Sequence, residues 1–261
     1  MSHCEQKPYL VFGKGEPIVL LYGLMGSVRN FRYLIDFLQK DYKVIVPIFP
    51  FYTAGINVSI HTLTDFVHSV VTELHLSKIH LVGNSMGGHI ALLYTLSHPD
   101  LVASLVLSGS SGLYENSIGD TFPRRKDYAY IREKTAATFY DPAVADKELV
   151  DEIYALVNSR KVLQILALAK STIRNNLQHE LRRIQVPVCL IWGKQDIVTP
   201  PQVAEQFLTG LPNAILHWID QCGHVPMLER PDVFNELLSR FLQERVIKSL
   251  EAKERGFLAN L

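Results

Sequence analysis

A serine flanked closely by glycines, directly behind an apolar run, constrains this chain more than any other feature. Residues 81–91 read LVGNSMGGHIA. Ile79–Val82 reads as the end of a short buried strand, and His89–Ser97 as the opening of an amphipathic helix. A chain that passes from strand to helix within Gly83-Asn84-Ser85-Met86-Gly87 needs its glycines, because a Cβ there would hold the two elements apart. A Ser on such a G-x-S-x-G turn is either an ordinary turn residue or a hydroxyl held in a strained, reactive posture. Gly88 adds room for the first helical turn, and the N-terminus of that helix favours negative charge nearby.

A serine hydroxyl is a weak nucleophile. It needs a base, a group that orients the base, and donors for the oxyanion that forms on the attacked carbonyl. Cys222-Gly223-His224-Val225-Pro226 follows an apolar run at Ile215–Ile219 and supplies the base, His224. Trp192-Gly193-Lys194-Gln195-Asp196 follows the run Val188–Gly193 and supplies the orienting acid, Asp196. Asp220 is a rival acid, but it lies four residues before His224 and suits a cap on the local turn. The chain order Ser, Asp, His is the one that goes with this kind of elbow. The oxyanion donors are expected to be the N–H of Met86, just after Ser85, and that of Leu24 in the loop Tyr22-Gly23-Leu24-Met25-Gly26-Ser27.

The rest of the chain supplies a frame for these loops. Strand-like runs fall at Ile18–Tyr22, Val44–Phe49, Ile79–Gly83, Ser104–Ser108, Val188–Gly193 and Ile215–Ile219. Helical patterns at Asn30–Gln39, Ile60–His75 and Gly88–His98 lie between the early ones. This alternation predicts an α/β fold with a parallel sheet between helices. The alternation stops after Ser110: from Leu113 to about Gln185 only helical segments occur, at Arg124–Lys134, Lys147–Asn158 and Val162–Asn175. The expected organisation is a core of residues 1–112 and 186–261 with a helical cap at 113–185. Two late helices are expected, one behind a capping Thr199 and one at Val233–Leu242, followed by a charged tail at Glu244–Leu261.

At 261 residues the chain can bury a sizeable core. Its 26 basic and 26 acidic side chains cancel, which argues against a nucleic-acid partner. No apolar run reaches the ~20 residues of a membrane span, and the N-terminal MSHCEQKPYL has no signal-peptide core. Three scattered cysteines, Cys4, Cys189 and Cys222, suit reduced thiols in a cytoplasm. No metal-ligand spacing is present, and neither metal nor cofactor is expected. Cys222 reads as a small buried residue, and His89 as a packing or surface residue on the elbow helix.

The elbow GNSMGG, the acid loop WGKQDIVTP and the base loop CGHVPMLERP together resemble the α/β-hydrolase fold superfamily over nearly the whole chain. That resemblance implies an eight-stranded, mostly parallel sheet with a cap inserted after the sixth strand. More narrowly, GNSMGGHIALLY and SGSSGLY resemble the meta-cleavage-product hydrolases, which cut a carbon–carbon bond beside a ketone. This likeness implies substrate contact for Asn84, which otherwise stabilises the turn, and for an arginine of the cap, here Arg160. Two positions depart from that subfamily: Val225 stands where Trp is usual, and Tyr22 where His is usual, so both are candidate substrate-binding positions.

The expected activity is that of a serine hydrolase acting on a small carboxylic ester through an acyl-enzyme. A carbon–carbon bond hydrolase of the 2-hydroxy-6-oxo-dienoate type is the alternative, and a slow-turnover ligand receptor of the same fold is a further one. An aspartate nucleophile is excluded, because the elbow carries Ser85. The expected partner is a small-molecule substrate, and the chain is expected to be a monomer or homodimer.

Overall fold

A computed structural model of the chain describes residues 7–50, 58–116 and 124–258, with the side chains of 245–258 left out. Cys4 and most of the N-terminal segment lie outside the described residues, as do the side chains of the tail beyond Glu244.

The six runs read as strands are strands: β2 (Glu16–Leu21), β3 (Tyr42–Pro47), β4 (Ile79–Asn84), β5 (Val102–Ser108), β6 (Val188–Gly193) and β7 (Ala214–Ile219). A seventh, β1 (Tyr9–Phe12), was not anticipated. It is four residues long and pairs antiparallel with β3 at the sheet edge; its run YLVF is apolar, but only Tyr9 is buried. The described sheet therefore has seven strands where the resemblance implied eight, in the order β1-β3-β2-β4-β5-β6-β7. All its pairings other than β1–β3 are parallel.

Parallel pairing puts the ends of β2, β4, β5, β6 and β7 along one edge, where ligands bind in open α/β sheets. The inner strands are buried on both faces: Ile18, Leu20, Leu81, Val106 and Leu190 expose none of their surface. Helices α1 (Arg32–Leu38), α2 (Ile60–Glu73) and α3 (Met86–Ser97) connect the early strands. The α3 helix is buried from Met86 through Thr95, which explains its apolar character all round.

Between β5 and β6 the described chain is helical: α4 (Tyr128–Ala136), α5 (Lys147–Asn158) and α6 (Val162–Arg174). This stretch follows the fifth described strand. Asp146 caps α5 by accepting the Leu149 N–H at 2.8 Å. Asp146 also pairs with Arg29 at 2.5 Å, and Arg29 reaches Glu148 at 2.8 Å, tying the start of α5 to the loop after β2. The late helices are α7 (Pro201–Gly210), α8 (Pro226–Glu229) and α9 (Pro231–Leu258). Among the described residues no helix is long and apolar enough to cross a membrane.

Candidate active site

Ser85 is the N-cap of α3, with φ 56° and ψ −125°. This backbone state costs a non-glycine residue about 1–3 kcal/mol. It is held by neighbours: Ser85 donates its N–H to Ser108 O at 3.1 Å, and its carbonyl accepts from Gly88, His89 and Ser111. The strained turn also keeps the hydroxyl off the helix, since Ser85 makes no side-chain cap bond. The glycines are required by contact. A Cβ on Gly87 would stand 1.9 Å from Leu21 O, and one on Gly83 2.5 Å from the Gly88 Cα.

His224 and Asp196 meet directly, with Nδ1 2.9 Å from Oδ2. Both are buried. The other carboxylate oxygen of Asp196 accepts the N–H groups of Val198 at 2.8 Å and Thr199 at 3.0 Å. Ser85 and His224 border one cavity of about 290 Å³. Among the described residues nothing hydrogen-bonds to the Ser85 hydroxyl. Such contacts commonly tighten only when substrate is bound.

Asn84 borders the cavity and is also tied into the fold. Its Nδ2 donates to Ser108 O and to His224 O, both at 3.0 Å, so it pins the base loop to the ends of β4 and β5. Leu24 lines the cavity, and Gly26 donates to Gly23 O at 3.0 Å to shape its loop. Gly23 packs so closely that a Cβ there would lie 2.8 Å from the Ser85 Cβ. Met86 is buried at the N-terminus of α3, its side chain in the core. Val225 lines the cavity beside His224.

Arg160 is exposed in the turn between α5 and α6 and is not on the cavity wall. Tyr22 is buried, and its hydroxyl accepts the Phe49 N–H at 2.9 Å instead of facing the cavity. Thr199 does not cap α7, which opens with Pro200 at the N-cap and no side-chain bond. Its hydroxyl turns back to Asp196 Oδ2 at 2.8 Å. Asp220 is exposed and accepts the Gln221 N–H at 3.0 Å, as its reading as a local cap requires. Cys222 and Cys189 are free, buried thiols; burial pushes Cys189 up to about 12 and raises Cys222 as well. His89 is fully buried, so it packs and does not reach the surface.

Three residues of the neighbourhood escaped the sequence reading. Lys134 and Asn116 lie on the cavity wall, and nothing in their local sequence marks them. Glu229 accepts the Gly223 N–H at 2.6 Å and the Asp141 N–H at 2.7 Å. Its place five residues after His224 in the base loop was the available signal. Among the described residues no group of His, Cys, Asp and Glu side chains is arranged to hold a metal ion.

The sequence profile of the alpha/beta hydrolase fold matches residues 16–148. MGS-MChE2, an alpha/beta hydrolase enzyme from the metagenome of sediments of the Mar Chica lagoon in Morocco, is 40% identical with a TM-score of 0.75; the match covers 94% of this chain and 99% of that one. The 2-hydroxy-6-oxo-6-(2'-aminophenyl)hexa-2,4-dienoic acid hydrolase of Metapseudomonas resinovorans is 28% identical, over 91% of this chain and 87% of its own length. The hydrolase YugF of Bacillus subtilis, itself uncharacterized, is 25% identical over 87% of this chain and 90% of its own. A profile that spans the elbow and strands β2 to β5, joined to a near full-length likeness to a solved enzyme, places this chain in the alpha/beta hydrolase fold family, as a hydrolase.

Proposed function

We propose that this hydrolase cleaves small, uncharged carboxylic esters, with Ser85 as nucleophile, His224 as general base and acid, and Asp196 as the group that orients His224. Ser85 Oγ bonds to the ester carbonyl carbon while its proton passes to His224 Nε2. The carbonyl oxygen takes the negative charge and is held by the Met86 and Leu24 N–H groups. Collapse breaks the bond to the alcohol, which leaves with the proton from His224. Water, deprotonated by the same imidazole, then attacks the acyl-enzyme and releases the acid and Ser85.

The observation that carries the ester reading is the cavity wall. Apolar side chains of the helical stretch after β5 make up much of it: Ile131, Phe139, Leu149, Ile153 and Val157. That stretch, residues 113–185, acts as a cap whose apolar face receives the acyl or alkyl group. Arg160, the cation a dienoate carboxylate would want, stands outside. The buried free thiols Cys189 and Cys222 support a cytoplasmic protein.

The carbon–carbon reading has one observation in its favour: Lys134 lies on the same wall and offers a cation to a carboxylate. The deciding experiment compares p-nitrophenyl esters of increasing chain length with a 2-hydroxy-6-oxo-dienoate, for wild type and Ser85→Ala. Fast ester turnover lost in Ser85→Ala is expected. Preferential cleavage of the dienoate would overturn the ester reading, and ester turnover retained by Ser85→Ala would overturn the assignment of the nucleophile.

A further inference from the structure

Asp196 is engaged more fully than its pairing with His224 requires. One oxygen takes two backbone N–H groups, from Val198 at 2.8 Å and Thr199 at 3.0 Å. The other, Oδ2, faces His224 Nδ1 at 2.9 Å and also accepts the Thr199 hydroxyl at 2.8 Å. Thr199 Oγ1 itself lies 3.4 Å from His224 Nδ1. Thr199 is fully buried, and its carbonyl accepts the Trp192 Nε1–H at 2.8 Å, so its backbone is fixed to the end of β6.

These contacts settle where the protons lie. The hydroxyl hydrogen of Thr199 is committed to Asp196 Oδ2, so toward His224 its oxygen can only accept. Oδ2 of an ionised carboxylate can also only accept. Both groups facing Nδ1 therefore ask for a hydrogen on that nitrogen, which leaves the lone pair on Nε2. That is the tautomer a base for Ser85 needs.

We propose that Thr199 is a positioning residue of the candidate site: through its hydroxyl it fixes the Asp196 carboxylate and holds His224 as the Nδ1–H tautomer. The proposal deepens the Ser85–His224–Asp196 reading and rests on it. Thr199 forms no bond to substrate, so its loss acts on turnover and leaves ground-state binding alone.

The test uses the full chain and Thr199→Val, which keeps the branched shape and removes the hydroxyl, with Thr199→Ser as the rescue. For a p-nitrophenyl ester, kcat is expected to fall about ten- to hundredfold in Thr199→Val, with KM within about twofold of wild type and most of kcat restored in Thr199→Ser. The His224 Nδ1–H proton, identified by its loss in His224→Asn, is expected far downfield in the wild type. It should exchange faster with water in Thr199→Val and recover in Thr199→Ser. A Thr199→Val enzyme with wild-type kcat and an unchanged Nδ1–H signal overturns the proposal. So does a loss of kcat that Thr199→Ser does not restore, since that is a packing effect. Ser85→Ala is measured alongside. If it retains turnover, the nucleophile assignment fails, while the Nδ1–H signal still decides the role of Thr199 without reference to catalysis.

Discussion

Glu229 accepts the Gly223 N–H at 2.6 Å, one residue before His224, and its second oxygen accepts the Asp141 N–H at 2.7 Å. The carboxylate is buried and spans the base loop and the segment after α4. The same two segments meet where His224 donates its N–H to Thr138 O at 2.8 Å. The position of His224 therefore depends on the helical stretch that forms the cavity wall.

Glu229→Gln should test this bridge. An amide presents one oxygen and one NH2, so one of the two N–H groups would face a donor in place of an acceptor. Leaving a buried donor unsatisfied costs about 1–3 kcal/mol. A loss of that size is expected in urea unfolding, together with reduced ester turnover. Wild-type stability and turnover would show that the bridge does not position the base loop.

Gly23→Ala separates folding from function at the oxyanion loop. The new Cβ would lie 2.8 Å from the Ser85 Cβ and 3.2 Å from its Oγ. Gly23 has an ordinary φ, so the clash falls on the nucleophile and not on the backbone. Turnover should fall by about a hundredfold or more, the cost of misplacing a reacting group by an ångström. Thermal unfolding should move little by comparison. An active Gly23→Ala enzyme would place the reacting serine elsewhere.

Tyr22→Phe removes the hydroxyl that accepts the Phe49 N–H. The sequence made Tyr22 a candidate substrate-binding position, in which case turnover would fall. The structure ties it to the end of β3 instead. The expected result is a stability loss of about 1 kcal/mol with kcat nearly unchanged. A tenfold drop in kcat with unchanged stability would restore the first reading.

The legible parts of this protein are those whose physics is local. The elbow needs glycines on either side of Ser85 because of contacts within one strand–turn–helix unit. Asp196 and His224 sit just past β6 and β7, where apolar runs stop at Gly193 and Ile219. The α5 helix begins as expected because Asp146 caps it, and it ends as expected at Asn158. What stayed hidden depends on how distant segments pack. Arg160 fell in a solvent-facing turn because the angle between α5 and α6 has no local signature. Thr199 had the sequence of a helix cap, and only the return of its hydroxyl to Asp196 shows its other use. β1 was missed because its run YLVF is only four residues long and its place at the sheet edge depends on pairing with distant β3.

Glu115 should tune the pH dependence of stability. Burial pushes its carboxyl above the usual range, while the Thr172 hydroxyl at 2.8 Å and the charge of His224 pull it back down. The folded protein therefore holds the Glu115 proton more tightly than the unfolded chain, so burying this carboxyl costs stability as pH rises through the carboxylate range. Glu115→Gln is neutral throughout and lacks this cost. Urea unfolding across that range should show the variant gaining stability relative to the wild type as pH rises. A gap that does not change with pH would show that Glu115 titrates alike in the folded and unfolded chain.

His89 should set part of the acid sensitivity of the fold. It lies in the first turns of α3, fully buried, and burial lowers it from 6.5 to about 4. In the unfolded chain it takes up a proton as pH falls through 6.5, while in the native state it stays neutral until about 4. The unfolded state therefore binds more protons across that window, and stability falls as pH falls through it. The contribution is fully present above 6.5, and about 2 kcal/mol of it is gone by pH 5. His89→Gln is neutral throughout and lacks this dependence. Urea unfolding at pH 7.5, 6 and 5 should show the wild type losing more stability than the variant, with the gap widening toward pH 5. Parallel curves would mean that His89 gains its proton as readily folded as unfolded, which its complete burial beneath the elbow does not allow.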